Sequence, residues 1–208
     1  MNAIDLKREE RNAFRSVTDT GLRDMMIASF VAMFAIAPLL SGTLGDFWSS
    51  AVFLPVLAVV YLIIRFVHSR LIVPRVGQAQ WSAVRKSHLR RLGVAMLVVN
   101  VAAFISGAVA FFLAERGVTG PWLFSVPLSL IVMVLFSLLA YAMSVPRYFV
   151  YGVALAACLP VGEWLFQQGY ASHHGFPMVF GSAAIAIALI GLVKFVRIAS
   201  QPIPAEDG

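Results

Sequence analysis

Few side chains in this 208-residue chain are equipped for chemistry. Glu163 and Asn100 lie within long apolar runs, and His173 and His174 stand side by side in the short polar stretch GYASHHGFP. A carboxylate inside hydrocarbon is a functional lead, because keeping it charged there costs about 3 kcal/mol. Glu163 follows Pro160 and Gly162, where a helix loosens, and Trp164, Gln167 and Gln168 bring it close to a water interface. It suits either a hydrogen-bonded structural role or the handling of a proton, cation or ligand. Asn100 lies about eight residues, or roughly 12 Å, inside its run. Its amide calls for an interhelical hydrogen bond or a cavity wall.

Asp46, Glu115, Glu163, His173 and His174 together would imitate a zinc set, since imidazole and carboxylate both suit that ion. Adjacent histidines on one backbone seldom converge on a metal, so a solvated turn is expected and no metal site is assigned. The chain carries no Walker-type glycine loop, HExxH, GxSxG or CxxC. No histidine falls within an apolar run, where it would activate a serine or cysteine. Catalytic residues and cofactors are therefore not assigned. A lone cysteine, Cys158, excludes an intrachain disulfide and is expected to pack as a small apolar group.

The richest stretch is basic. Between two apolar runs stand Arg65, Arg70, Arg75, Arg85, Lys86, Arg90 and Arg91, with no acidic residue among them. A basic side chain beside a membrane gains about 1 kcal/mol from anionic lipid. Arg70, Arg75, Arg85, Lys86, Arg90 and Arg91 are thus candidate headgroup ligands, and anionic phospholipid is the candidate partner. Pro74 to Gly77 reads as a tight turn. From Gln80 the segment WSAVRKSHLRRLG continues as a helix, with Trp81, Val84 and His88 facing the membrane. PRVGQAQW, residues 74–81, resembles the PRxGxVxF-type loop of a group of small multispanning bacterial membrane proteins. Pro74, Arg75, Gly77 and Trp81 carry the likeness, while Gln78 and Ala79 depart from it. The resemblance brings no activity; it implies a bacterial inner-membrane address.

The elements that position these groups follow from composition. Hydrophobic residues make up 60% and charged residues 12%, whereas soluble domains hold about 45–50% apolar and about 25% charged. Such a chain needs a solvent other than water. A spanning helix takes about 20 apolar residues to cross roughly 30 Å of hydrocarbon. Six runs meet or approach that: 25–44, 48–67, 92–113, 122–143, 149–166 and 176–196. Pro38, Pro55, Pro127 and Pro160 fall inside them, as membrane helices tolerate.

The expected fold is all-α, a bundle of six transmembrane helices over 25–197. Residues 1–24 form a cytoplasmic N-terminal segment, 68–91 a basic cytoplasmic loop and 198–208 a cytoplasmic tail. The mixed charges of DLKREERNAFR do not suit a cleaved signal peptide. With both termini on one side, every Lys and Arg except Arg116 falls on that side. The positive-inside bias makes it the cytoplasm. The same bias accounts for the net charge of +6, which in a soluble protein would suggest nucleic acid. Trp48, Trp122 and Trp164 at outer helix ends, with Tyr148 and Tyr151 at an inner one, fit an interfacial belt.

Small residues let membrane helices approach closely. Asn100, Ala103, Gly107, Ala110 and Ala114 share an arc of the third run. Gly181, Ala184, Ala188 and Gly191 do so on the sixth, and Gly152 and Ala156 accompany Glu163 on the fifth. These three helices are expected at the centre. The chain then reads as a non-enzymatic inner-membrane scaffold or accessory subunit, associating with itself or with another membrane protein. A small transporter or channel with a path near Glu163 and Asn100 is the alternative.

Overall fold

A computed structural model of the chain describes residues 20–76, 83–117, 120, 122–143 and 145–201. Each apolar run forms helix. The elements are α1 (Leu22–Leu44), α2 (Asp46–Ala51), α3 (Phe53–Val67), α4 (Val73–Val76), α5 (Ala83–Glu115), α6 (Trp122–Met143), α7 (Arg147–Gln167) and α8 (Phe176–Ala199). A π-turn, His68–Ile72, joins α3 to α4, and a 3₁₀ turn, His173–Gly175, precedes α8. Among the described residues there is no strand.

Among the described residues, five stretches are long and apolar enough to cross a membrane: Leu22–Leu44, Phe47–Arg75, Trp122–Met143, Arg147–Gln167 and His173–Ala199. The sixth expected span lies in α5, whose apolar portion among the described residues is shorter, Gly93–Val109. The helix itself begins earlier, because Arg85, Lys86, Arg90 and Arg91 sit on its first turns. Many apolar side chains point outward, with Leu54 77% and Phe104 78% exposed. Helices with such a surface keep their backbone hydrogen bonds internal, which hydrocarbon requires.

Proline shapes the second span. In a continuous helix the Pro55 ring would press on the Ala51 carbonyl four residues back and offer it no donor. The helical bonding is interrupted at that point, between α2 and α3, while Val52 itself keeps helical φ and ψ of −63° and −21° and its N–H bonds the Trp48 carbonyl. At the far end the Val73 N–H reaches back five residues to the His68 carbonyl. This wider turn, typical of π-bulges, lets the chain stay helical through Pro74 to Val76. The expected tight turn at Pro74–Gly77 is corrected here: Pro74, Arg75 and Val76 are helical, and Gly77 lies outside the described residues. The first part of the 68–91 loop is thus an extension of the span.

The chain divides into two units, residues 81–183 and residues 1–80 with 184–208. In the first, α6 packs against both α5 and α7. Tyr148, Tyr151, Leu155 and Leu159 form a buried stripe on α7 at helical spacing. This corrects the belt: Tyr148 is 1% and Tyr151 5% exposed, so both rings belong to the packed interior. Cys158 is buried as expected, its Sγ 3.5 Å from the Val179 carbonyl.

In the second unit the start of α1 meets the later half of α8. A Cβ on Gly191 would stand 2.9 Å from the Gly21 carbonyl oxygen, and one on Gly21 2.2 Å from that of Gly191. Gly21 also has φ 79°, a left-handed value that glycine adopts readily. The expected centre is therefore corrected in part. Gly191 and Ala184 are buried, but Gly107 on α5 has nothing within 4 Å and Asn100 is exposed. Small residues permit close approach without dictating the neighbour, and the neighbour of Gly191 is Gly21, just before the first apolar run.

Candidate functional site

Glu163 stands on the last turns of α7, one helical turn before Gln167. That spacing puts them on one face, and Gln167 Nε2 donates to Glu163 Oε1 at 3.2 Å. The other carboxylate oxygen is reached from the turn before α8, where His174 Nδ1 lies 2.9 Å from Oε2. An ionised carboxylate only accepts, so towards it Nδ1 is the donor of this bond. Glu163 is 13% and His174 56% exposed at the side chain. The result is a chain from amide to carboxylate to imidazole.

The backbone beneath it is unusual. His173, His174 and Gly175 have φ of 51°, 54° and 67°, all left-handed. For a residue with a Cβ this conformation costs roughly 1–2 kcal/mol. Such strain persists only where surrounding contacts over-determine it, and three of them are visible. Gly175 N–H donates to the Ser172 carbonyl at 2.9 Å. The His174 ring lies against Phe166, with centroids 4.4 Å apart and planes 35° apart. Gly162 and Gly175 bring the two backbones together, since a Cβ on Gly175 would lie 2.6 Å from the Gly162 carbonyl oxygen.

A carboxylate that orients an imidazole is the arrangement used both for proton exchange at Nε2 and for metal coordination there. No group of three or more His, Cys, Asp or Glu forms a metal set among the described residues. Asn100 joins a different arrangement, its Nδ2 donating to the Met96 carbonyl of its own helix at 2.8 Å. Sequence reasoning singled out Glu163 and treated the His173–His174 turn as solvated; the structure makes one site of Glu163 and His174.

The basic residues fall in two groups. Arg65 and Arg70 are exposed, and the Arg70 guanidinium lies 6.0 Å from the centre of the Phe66 ring. Arg75 Nη1 donates to the Leu71 carbonyl at 2.7 Å, and its Nε to the Gln201 carbonyl at 3.2 Å. The side chains of Arg85, Lys86, Arg90 and Arg91 lie outside the described residues, although their helix, α5, is described.

One further charged group was not anticipated. Asp24, in the first turn of α1, is 0% exposed. Its Cβ would be 3.0 Å from a Cβ on Gly191, and Lys194 Cβ stands equally close to the corresponding point on Gly21. The available signal was an acidic residue opening an apolar run, where the helix dipole favours negative charge.

Compared with known proteins, the chain matches no family model, no curated protein and no solved structure.

Proposed function

We propose that the chain is a multi-pass protein of the bacterial inner membrane with both termini in the cytoplasm. It acts as a non-enzymatic scaffold or accessory subunit and docks anionic phospholipid through its basic segment. One observation carries this reading: an acid-free cluster of arginines and lysine at the end of an apolar stretch long enough to span. Arg65 and Arg70 are exposed on that stretch, and Arg85, Lys86, Arg90 and Arg91 open the next helix. At about 1 kcal/mol for each basic residue, these four contribute several kcal/mol toward an anionic surface. The likeness of PRVGQAQW to the loop of small bacterial membrane proteins agrees with this address.

Charge reversal at Arg85, Lys86, Arg90 and Arg91 should strip phosphatidylglycerol or cardiolipin from the purified protein. Native mass spectrometry reads the retained lipid directly, and an undiminished lipid complement would refute the docking role.

A second reading is favoured by the Glu163–His174 pair, in which a carboxylate orients a partly exposed imidazole. In this reading the chain is a small transporter or channel, with Glu163 accepting a proton or cation. Proteoliposomes should then show a flux that Glu163→Gln abolishes; no flux of protons, ions or common metabolites would set this reading aside.

A further inference from the structure

Arg75 closes the Phe47–Arg75 stretch, and its guanidinium donates to two neutral backbone oxygens. One, the Leu71 carbonyl, belongs to its own helical turn. The other, the Gln201 carbonyl, is 126 residues away in sequence. Gln201 lies just past the end of α8, where the Ser200 N–H bonds the Val196 carbonyl and the Gln201 N–H bonds that of Ile198. A helix C-terminus carries carbonyls without intrahelical donors and a partial negative charge. A guanidinium from another element is a fitting cap for it.

That cap is open to competition. The contact is exposed, and Gln201 occupies the Nε edge of the guanidinium. This planar edge is one that phosphate recognises with paired hydrogen bonds. Bonds to an ionised oxygen are about twice as strong as bonds to a neutral carbonyl. Nη1, on the opposite side, can keep Leu71 while the Nε edge changes partner.

We infer that Arg75 is a clamp operated by a lipid headgroup. In a neutral bilayer it holds the end of α8 through Gln201. When the phosphodiester of an anionic phospholipid takes the Nε edge, the Gln201 carbonyl is given up and the end of α8 is let go. The inference rests on the lipid-docking reading and adds an output to it: lipid occupancy becomes a change at the C-terminal end of the last helix.

The test uses the full chain with Cys158→Ala and Gln201→Cys, an environment-sensitive fluorophore on the new thiol, and vesicles of phosphatidylcholine with or without phosphatidylglycerol. Phosphatidylglycerol should shift the emission, and Arg75→Gln should show the shifted spectrum in both lipids. Arg75→Lys, which keeps the charge and loses the fork, should behave like Arg75→Gln. Inorganic phosphate with neutral vesicles should leave the spectrum unmoved, and a shift there would overturn the assignment to lipid. An unshifted spectrum in protein that native mass spectrometry finds carrying phosphatidylglycerol overturns the clamp alone. Protein that retains no phosphatidylglycerol removes the docking reading with it.

Discussion

His174 Nδ1 meets Glu163 Oε2 at 2.9 Å from a backbone at φ 54°, a conformation that residues with side chains seldom adopt. The hydrogen bond, the ring contact with Phe166 and the Gly162–Gly175 approach together hold the end of α7 to the start of α8. The strain in the turn is thereby tied to the same contacts that orient the imidazole.

Removing that imidazole in two ways separates strain from bonding. His174→Ala and His174→Gly both lose the Glu163 contact, but only glycine relieves the left-handed backbone. The glycine variant should be more stable than the alanine variant by about 1 kcal/mol. Denaturant unfolding in detergent micelles measures the difference, and equal stabilities would show that the turn is not strained at this residue.

A glycine at a backbone contact and one in open space should respond oppositely to the same substitution. Gly175→Ala adds a Cβ against the Gly162 carbonyl and imposes the left-handed penalty, so a loss of about 1–3 kcal/mol is expected. Gly107 has nothing within 4 Å. There Gly107→Ala should be neutral or stabilise by up to about 1 kcal/mol, through helix propensity alone. Thermal unfolding of the two variants side by side decides it; a large loss at Gly107 would mean that the α5 face is packed after all.

Docking of α1 on α8 depends on Gly191. Gly191→Val would drive methyl groups into the Gly21 backbone and the side chains of Asp24 and Met25. Amide exchange in the first turn of α1, where Met25 N–H bonds the Gly21 carbonyl, should accelerate at least tenfold, corresponding to about 1.4 kcal/mol. Unchanged protection would place the restraint on α1 elsewhere.

Orientation is checked by labelling. In a Cys158→Ala background, His173→Cys should react with a membrane-impermeant maleimide added outside intact cells, and Gln201→Cys only after permeabilisation. The reverse pattern would invert the topology, and with it the site of the basic cluster.

Sequence alone determined the elements. Apolar runs of spanning length leave a backbone no alternative to helix in hydrocarbon, and each run is helical. The acid-free cluster of basic residues is likewise a property of composition, as is the prominence of Glu163. Tertiary structure decided the partners. Tyr148 and Tyr151 carry the amphipathic signature of an interface, yet they pack inside because their spacing continues the buried stripe of α7. Gly191 is matched to Gly21 rather than to a helix of small residues, and Asp24 is buried beside that contact. Glu163 meets His174 through three consecutive left-handed residues, two of which are not glycine. Periodicity reports which residues share a face; which face another element covers is set by contacts between segments far apart in the chain, and no local pattern records those.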